Sequence, residues 1–199
     1  MLSQSSNNSI CENYITNNSL GIDLSLSSNN TIYHNHFINN TSQARSSFST
    51  NTWDDGYPSG GNYWNNYVGV DECLGPYQNM TGSDGIGDTP HIINEDNEDR
   101  YPLMGTFYDF NATSEYYVQT ICNSTISNFQ FNGTAICFNV TGKDGTTGFC
   151  RICIPTALMN GTYKVFVNGT EVPYTLLPCS NSTHSYLYFT YNHSTQEVI

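Results

Sequence analysis

NNTIYHNHFINN, residues 29 to 40, is one copy of a repeating unit, and its reading decides the fold. Asn8, Ile10, Asn13, Ile15 and Asn17 recur as Asn30, Ile32, Asn35, Phe37 and Asn39, each 22 residues later. Asn51 and Trp53 open a third copy after 21 residues, and the weaker halves also align, Ile22 over Ala44 and Leu26 over Phe48. A repeat this short cannot bury an apolar face alone and gains a core by stacking on its neighbours. Alternation sends Ile10, Ile32 and Trp53 inward together. Asn suits the corners because it tolerates the left-handed backbone region, bonds locally, and can bond from copy to copy when stacked. The spacing therefore predicts the coils of a right-handed parallel β-helix over residues 1 to about 53.

At Trp53 the pattern changes to WDDGYPSGGNYWNNYVGVDE, where Pro58 and Gly60-Gly61 exclude regular helix. A stack of coils must end by covering its last rung, and Trp53, Tyr57, Tyr63, Trp64 and Tyr67 are suitable lids. Beyond Gly75, Asp84-Gly85-Ile86-Gly87-Asp88 makes a tight acidic turn, followed by the apolar run at His91, Ile92 and Ile93 and an acidic loop closing at Arg100, Tyr101 and Pro102. Residues 103 to 112 read as a connector. From Tyr116 the period is two, with strands expected at YYVQTI, TISNFQF, TAICFNV, GFCRICIP, YKVFVNG, EVPYTLL and SYLYFTY. Asn132-Gly133 and Asn168-Gly169 are hairpin signals between such runs. Seven short strands with turns at this spacing predict an antiparallel β-sandwich. The fold class is thus all-β, with coils and cap over residues 1–106 and a sandwich over 107–199.

The chain has 199 residues, a formal charge of -12, 14% aromatic and 11% charged residues. Ten of its acidic residues lie between Asp54 and Asp99 with no Lys or Arg among them, which disfavours nucleic-acid binding and favours a cation partner. Asn-x-Ser/Thr acceptors in the coils follow from an Asn- and Ser-rich repeat. Those at Asn79, Asn111, Asn123, Asn132, Asn139, Asn160, Asn168, Asn181 and Asn192 do not, and they point to an exported glycoprotein at the cell surface. The seven cysteines are odd in number, so at least one stays unpaired within the chain; one or two disulfides in the C-terminal half fit, with connectivity open. MLSQSSNNSI lacks the features of a signal peptide, and no apolar run is long enough to cross a bilayer. Further coils upstream, or a partner, are expected to cover Ile10 and Ile15.

Several residues could carry chemistry. Asp84 and Asp88, with Asp71, Asn79 or Asp96, could hold a structural calcium, because hard oxygens around a curved backbone suit that ion; a solvated Asp-Gly turn explains the same residues. Tyr57, Tyr63 and Trp64, joined by Tyr67, could stack on sugar rings, although capping needs the same side chains. Asp54 with Asp55, or Asp84 with Asp88, are glycosidase-like pairs, but nothing in the sequence separates their pKa values. His34 and His36, with His91 or Met80, could bind copper, yet their parity is that of the inward Ile32 unless a bend intervenes; exposed or turn histidines are the plainer reading.

NTWDDGYPSGGNYWNNY, GSDGIGDTP and DRYPL resemble the end of a NosD-like right-handed β-helix domain of the kind found in archaeal surface proteins. VTGKDGTTGFCRICIP, VFVNGTEVPY and LYFTYNHST are similar to the small β-domain that often follows it. The resemblance implies a group that spans carbohydrate-binding and carbohydrate-cleaving proteins and a periplasmic copper-enzyme maturation factor. The expected function is a non-catalytic structural or adhesion segment of a secreted or surface glycoprotein, self-associating or binding other envelope proteins. The alternatives are a carbohydrate-binding module and a fragment of a polysaccharide-processing enzyme.

Overall fold

Alternating side chains and a left-handed residue at each corner fold the first repeat into short strands that change direction every few residues. The computed structural model describes residues 1–199, apart from the side chain of Thr195. Two compact units, Met1–Phe107 and Tyr108–Ile199, divide the chain. In the first, Ser9–Cys11 lies parallel to Thr31–Tyr33, Tyr14–Thr16 to His36–Ile38, and Leu20–Ser25 to Ser42–Ser47. Every pair joins a residue to the one 22 positions on, as in Ile10 with Ile32 and Ile15 with Phe37. The repeat is therefore the rung-to-rung distance along the chain. The third rung is looser: Thr31 bridges Thr52, and His36 meets Tyr63 after a loop whose ends close through Asp55 N–H to the Gly60 carbonyl, 2.9 Å.

Inward positions form columns. Ile10, Ile32 and Trp53 make one, and Ile15, Phe37 and Trp64 another, with Ile22 and Leu24 from the longer strands beside them. Phe37 and Trp64 stack at 4.1 Å, and the two tryptophans lie 6.0 Å apart. Burying each of these large side chains contributes about 1.5–3 kcal/mol, so the columns are the main favourable term of this unit.

Corners follow the same period. Gln4, Leu26 and Phe48, then Asn7 and Asn29, Glu12 and His34, Asn17 and Asn39, all have positive φ. Asn was the residue expected there; backbone position decides, and other types accept the strain. Leu26 and Phe48 align as foreseen but point outward, Phe48 being 88% exposed. Phe48→Asn keeps the corner and relieves part of a cost of about 1–2 kcal/mol for a left-handed residue. Chemical denaturation followed by tryptophan fluorescence, which reports this unit because both tryptophans lie in it, is expected to show a gain of about 0.5–1 kcal/mol.

In the second unit two five-stranded sheets enclose one core. One has the order Thr106–Asn111, Tyr117–Cys122, Thr147–Pro155, His184–Asn192, Tyr174–Leu176; the other runs Thr125–Phe131, Ile136–Thr141, Thr195–Val198, Val165–Val167, Thr170–Val172. Val118, Ile152, Leu187 and Phe189 from the first pack with Ile126, Phe138, Val140, Val165 and Val198 from the second. The connector expected at 103–112 contains a strand, and Thr195–Val198 adds another that the sequence reading lacked. The run EVPYTLL is not one strand: Pro173 cannot donate to a ladder, and the segments on its two sides join different sheets. Among the described residues the chain has no helix long and apolar enough to cross a membrane.

Candidate functional site

The residue after each left-handed corner turns its side chain along the stack, and there the polar residues of the repeat converge. Asn8 donates its backbone and side-chain N–H to Asn30 Oδ1 (3.0 and 2.8 Å), and Asn30 donates likewise to Asn51 Oδ1 (2.9 and 3.0 Å). Asn51 N–H then reaches Asn97 Oδ1 at 2.9 Å. A second ladder runs from Asn13 to Asn35 and from Asn35 to Asn62. It ends at Asp99, whose Oδ2 accepts from Asn62 N–H at 2.7 Å. A third links Asn18 to Asn40, and serines form a fourth, from Ser5 to Ser27 to Ser49.

Asn97 and Asp99 lie on one short strand, Asn97–Asp99, paired with His91–Asn94 in a hairpin. Both face the stack, and each also takes a tryptophan N–H: Trp53 Nε1 donates to Asn97 Oδ1 at 3.1 Å, and Trp64 Nε1 to Asp99 Oδ2 at 2.8 Å. The hairpin thereby closes two polar ladders and two apolar columns at once. Gly61 leaves room for this carboxylate, since a Cβ there would sit 1.8 Å from Asp99 Oδ1. The lid expected from aromatics alone is thus shared with Asn97 and Asp99. Their signal was there: polar residues two apart, where a strand puts both on one face.

Burial raises the carboxyl of Asp99 to about 7, against the hydrogen bonds from Asn62, Trp64 and Tyr101 that favour its charge. Asp71 is likewise pushed to about 7, first by desolvation, with Asp84 and Asp88 adding like charge. In the folded state these groups hold protons near pH 7 that the unfolded chain has released, so their contribution is complete below the ordinary carboxylate range and lost as pH rises through 7. His36 acts in the opposite sense: burial depresses it to about 4, and its contribution is lost as pH falls from 6.5 towards 4. Between pH 8 and 7 the carboxylates outweigh His36 and His91, which burial also depresses. There the fluorescence-detected unfolding midpoint is expected to rise as pH falls, and Asp99→Asn to roughly halve that rise while keeping the fold, Asp71 carrying the rest. Asp99→Ala, which strands buried donors on Asn62 and Trp64, is expected to cost about 3 kcal/mol or more in denaturant titrations.

The acidic turn is held by amides. Asp71 accepts from Asp84 N–H and Gly85 N–H at 2.9 and 2.8 Å, Asp84 from Gly75 N–H and Ile86 N–H, and Asp88 from Glu72 N–H and Cys73 N–H. Asp96 belongs to the turn of the roofing hairpin, where its N–H bonds Asn94 Oδ1 at 3.0 Å, and does not join the other three. Among the described residues no group of three His, Cys, Asp or Glu could hold a metal ion.

Trp64, read as a lid with sugar stacking as the alternative, is buried between Phe37 and His91 at 4.1 and 4.4 Å, which fits the lid and leaves no ring face for a sugar. Tyr63 is half-buried beside His36, and Tyr57 is half-buried with Tyr101 6.1 Å away. His34 and His36 are buried too; the reading of exposed or turn histidines holds for His34 as a turn residue and fails for His36. His34 is itself the left-handed corner, the bend that separates its direction from that of Ile32. Its Nε2 lies 3.2 Å from Ser59 and its ring stacks on Phe107, while His36 Nε2 accepts Phe107 N–H at 3.0 Å. Asp54 forms a bidentate pair with Arg100 at 2.9 and 2.6 Å, so of the adjacent carboxylates it is a structural clamp and Asp55 is exposed. Of the C-terminal glycan acceptors, Asn79, Asn111, Asn123, Asn132, Asn160, Asn168, Asn181 and Asn192 are exposed and Asn139 is half-buried.

Two features of the second unit escaped the sequence. An open cavity of about 570 Å³ is lined by Ile136, Phe138, Ile152, Ile154, Leu187 and Phe189. Ser124 Oγ lies 2.7 Å from His193 Nε2, and Thr146 Oγ1 lies 2.5 Å from His193 Nδ1. Ser124 and His193 are both buried, and the contact joins the start of one sheet's hairpin to the end of the strand His184–Asn192. Partners 69 residues apart carry no local pattern.

The site is thus an end cap: a three-residue strand whose two outer residues close polar ladders over columns of aromatic rings. Residues 1–69 match the family model described as periplasmic copper-binding protein (NosD), and this part of the chain is NosD-like. No curated protein and no solved structure matches the chain.

Proposed function

We propose that this chain is a non-catalytic structural or adhesion segment of an exported, envelope-associated glycoprotein. Its first unit is read as the last coils and cap of a right-handed parallel β-helix, its second as an antiparallel β-sandwich. One observation carries the reading: the polar side chains with chemical potential are spent on holding the stack. Asn30, Asn35, Asn62 and Asp99 bond along its axis, and Asp54, Asp71, Asp84 and Asp88 accept backbone amides or a guanidinium. The periplasmic family matched by residues 1–69 supports a place outside the cytoplasm, as do the exposed glycan acceptors.

The copper in that family's description does not carry over to these residues. His34 is tied to Ser59 and Phe107, and His36 gives its Nε2 lone pair to a backbone amide, so the histidine pair offers no convergent donor set. Calcium in the acidic turn is a separate test. With amides already satisfying Asp71, Asp84 and Asp88, removing divalent ions with a chelator is expected to leave the fluorescence melt unchanged; a fall of several degrees would return calcium to the site.

Electron micrographs of the native assembly, with a glycan array run on the same protein, test the function. Ordered filaments or sheets with no glycan signal are the expected result. Saturable binding to a defined glycan, or turnover of a polysaccharide by this chain, would overturn the structural reading.

A further inference from the structure

Among the described residues all seven cysteines carry thiols, and two of them meet across a strand pair in the core of the second unit. Cys122 ends Tyr117–Cys122, Cys150 lies in Thr147–Pro155, and the register sets them directly opposite each other. Both are fully buried. Hydrogen-bond parity adds a geometric fact. Phe149 N–H donates to Asn123 Oδ1 at 2.8 Å, so the odd-numbered amides of this strand face Tyr117–Cys122 and the amide of Cys150 faces the opposite neighbour. Cys122 and Cys150 therefore form a non-hydrogen-bonded pair, in which Cα atoms approach to about 4.5 Å. That spacing lies within the range a disulfide spans, whereas directly hydrogen-bonded pairs hold their side chains further apart.

We propose that Cys122 and Cys150 form a cross-strand disulfide when this chain folds in an oxidising compartment. In the folded core Cys122 Sγ accepts Ser124 N–H at 3.4 Å and lies 3.2 Å from Tyr191 Oη, contacts that hold it beside Cys150. Either thiol can start the exchange, written here with Cys122 first. The oxidant is a disulfide, borne by a thiol oxidase or a small molecule. Cys122 thiolate attacks one oxidant sulfur, forming a mixed disulfide and breaking the oxidant's S–S bond. Cys150 thiolate then attacks Cys122 Sγ, forming the intramolecular bond and expelling the second oxidant thiolate. Two electrons pass to the oxidant, and the two cysteine protons end on its thiols.

Because both sulfurs are sealed in the folded core, exchange belongs to the folding chain, before the second sheet closes over the first. The enclosed loop carries Thr125–Phe131 and Ile136–Thr141, a hairpin of the other sheet. The bond would therefore restrict the excursion from one sheet to the other in the unfolded chain, which is where a cross-link acts on stability. Cys153 lies three residues on from Cys150, turned to the other face of its strand beside Tyr186, and is not its competitor.

The test uses the whole chain, produced in an oxidising compartment or refolded with oxidised glutathione, then denatured, alkylated and mapped by mass spectrometry without reductant. The expected result is one linked peptide pair joining Cys122 to Cys150. Reductant added during unfolding is expected to lower by about 10 °C the calorimetric transition that tryptophan fluorescence does not report. The double variant Cys122→Ala/Cys150→Ala should lose that sensitivity to reductant. If that variant does not fold, the map of the unmodified chain decides. Alkylation of both Cys122 and Cys150, or a link that joins either to a different cysteine, would overturn the proposal.

Discussion

The backbone amide just after each corner of a coil points along the stack to a side-chain oxygen rather than a strand carbonyl, and leaving it buried without an acceptor would cost about 1–3 kcal/mol. The rest of the first unit depends on how that cost is met. An asparagine in that place can accept from the amide and the side chain of the rung before it while donating to the rung after it, and Asn35 does both, while serine accepts the amide at the Leu26 and Phe48 corners. The arrangement passes the problem on by one coil. It ends only where an acceptor arrives that needs no further rung, and Asn97 and Asp99 supply it.

From this follows the coupling of cap and core. Trp53 and Trp64 top the apolar columns, and their indole N–H groups need partners once buried. The same two oxygens that end the ladders take them, so roof and columns cannot separate without exposing rings and stranding donors together. The cost is a carboxyl held in the interior, whose protonation near neutral pH links the cap to solution conditions.

Much of this was legible in the sequence, because rung spacing is periodic and periodicity survives in one dimension. The 22-residue echo of Asn8, Ile10, Asn13 and Ile15 gave the register in which the strands pair. What escaped was of two kinds. Corners occupied by Leu26, His34 and Phe48 are set by position in the coil, so residue type hid them. Contacts between distant segments, such as Asn51 with Asn97 or Ser124 with His193, have no local signature and wait on the fold. The aromatic lid was legible, with Trp53 and Trp64 closing the columns, but the oxygens that take their indole N–H groups were not.

Native-state hydrogen exchange of the corner amides tests most directly the claim that axial ladders hold the stack. The amides of Asn30, Asn35, Asn51 and Asn62 should exchange together, with protection close to that of the whole unit. Exchange of these amides at the rates of exposed loops, while the strands between them stay protected, would contradict the account.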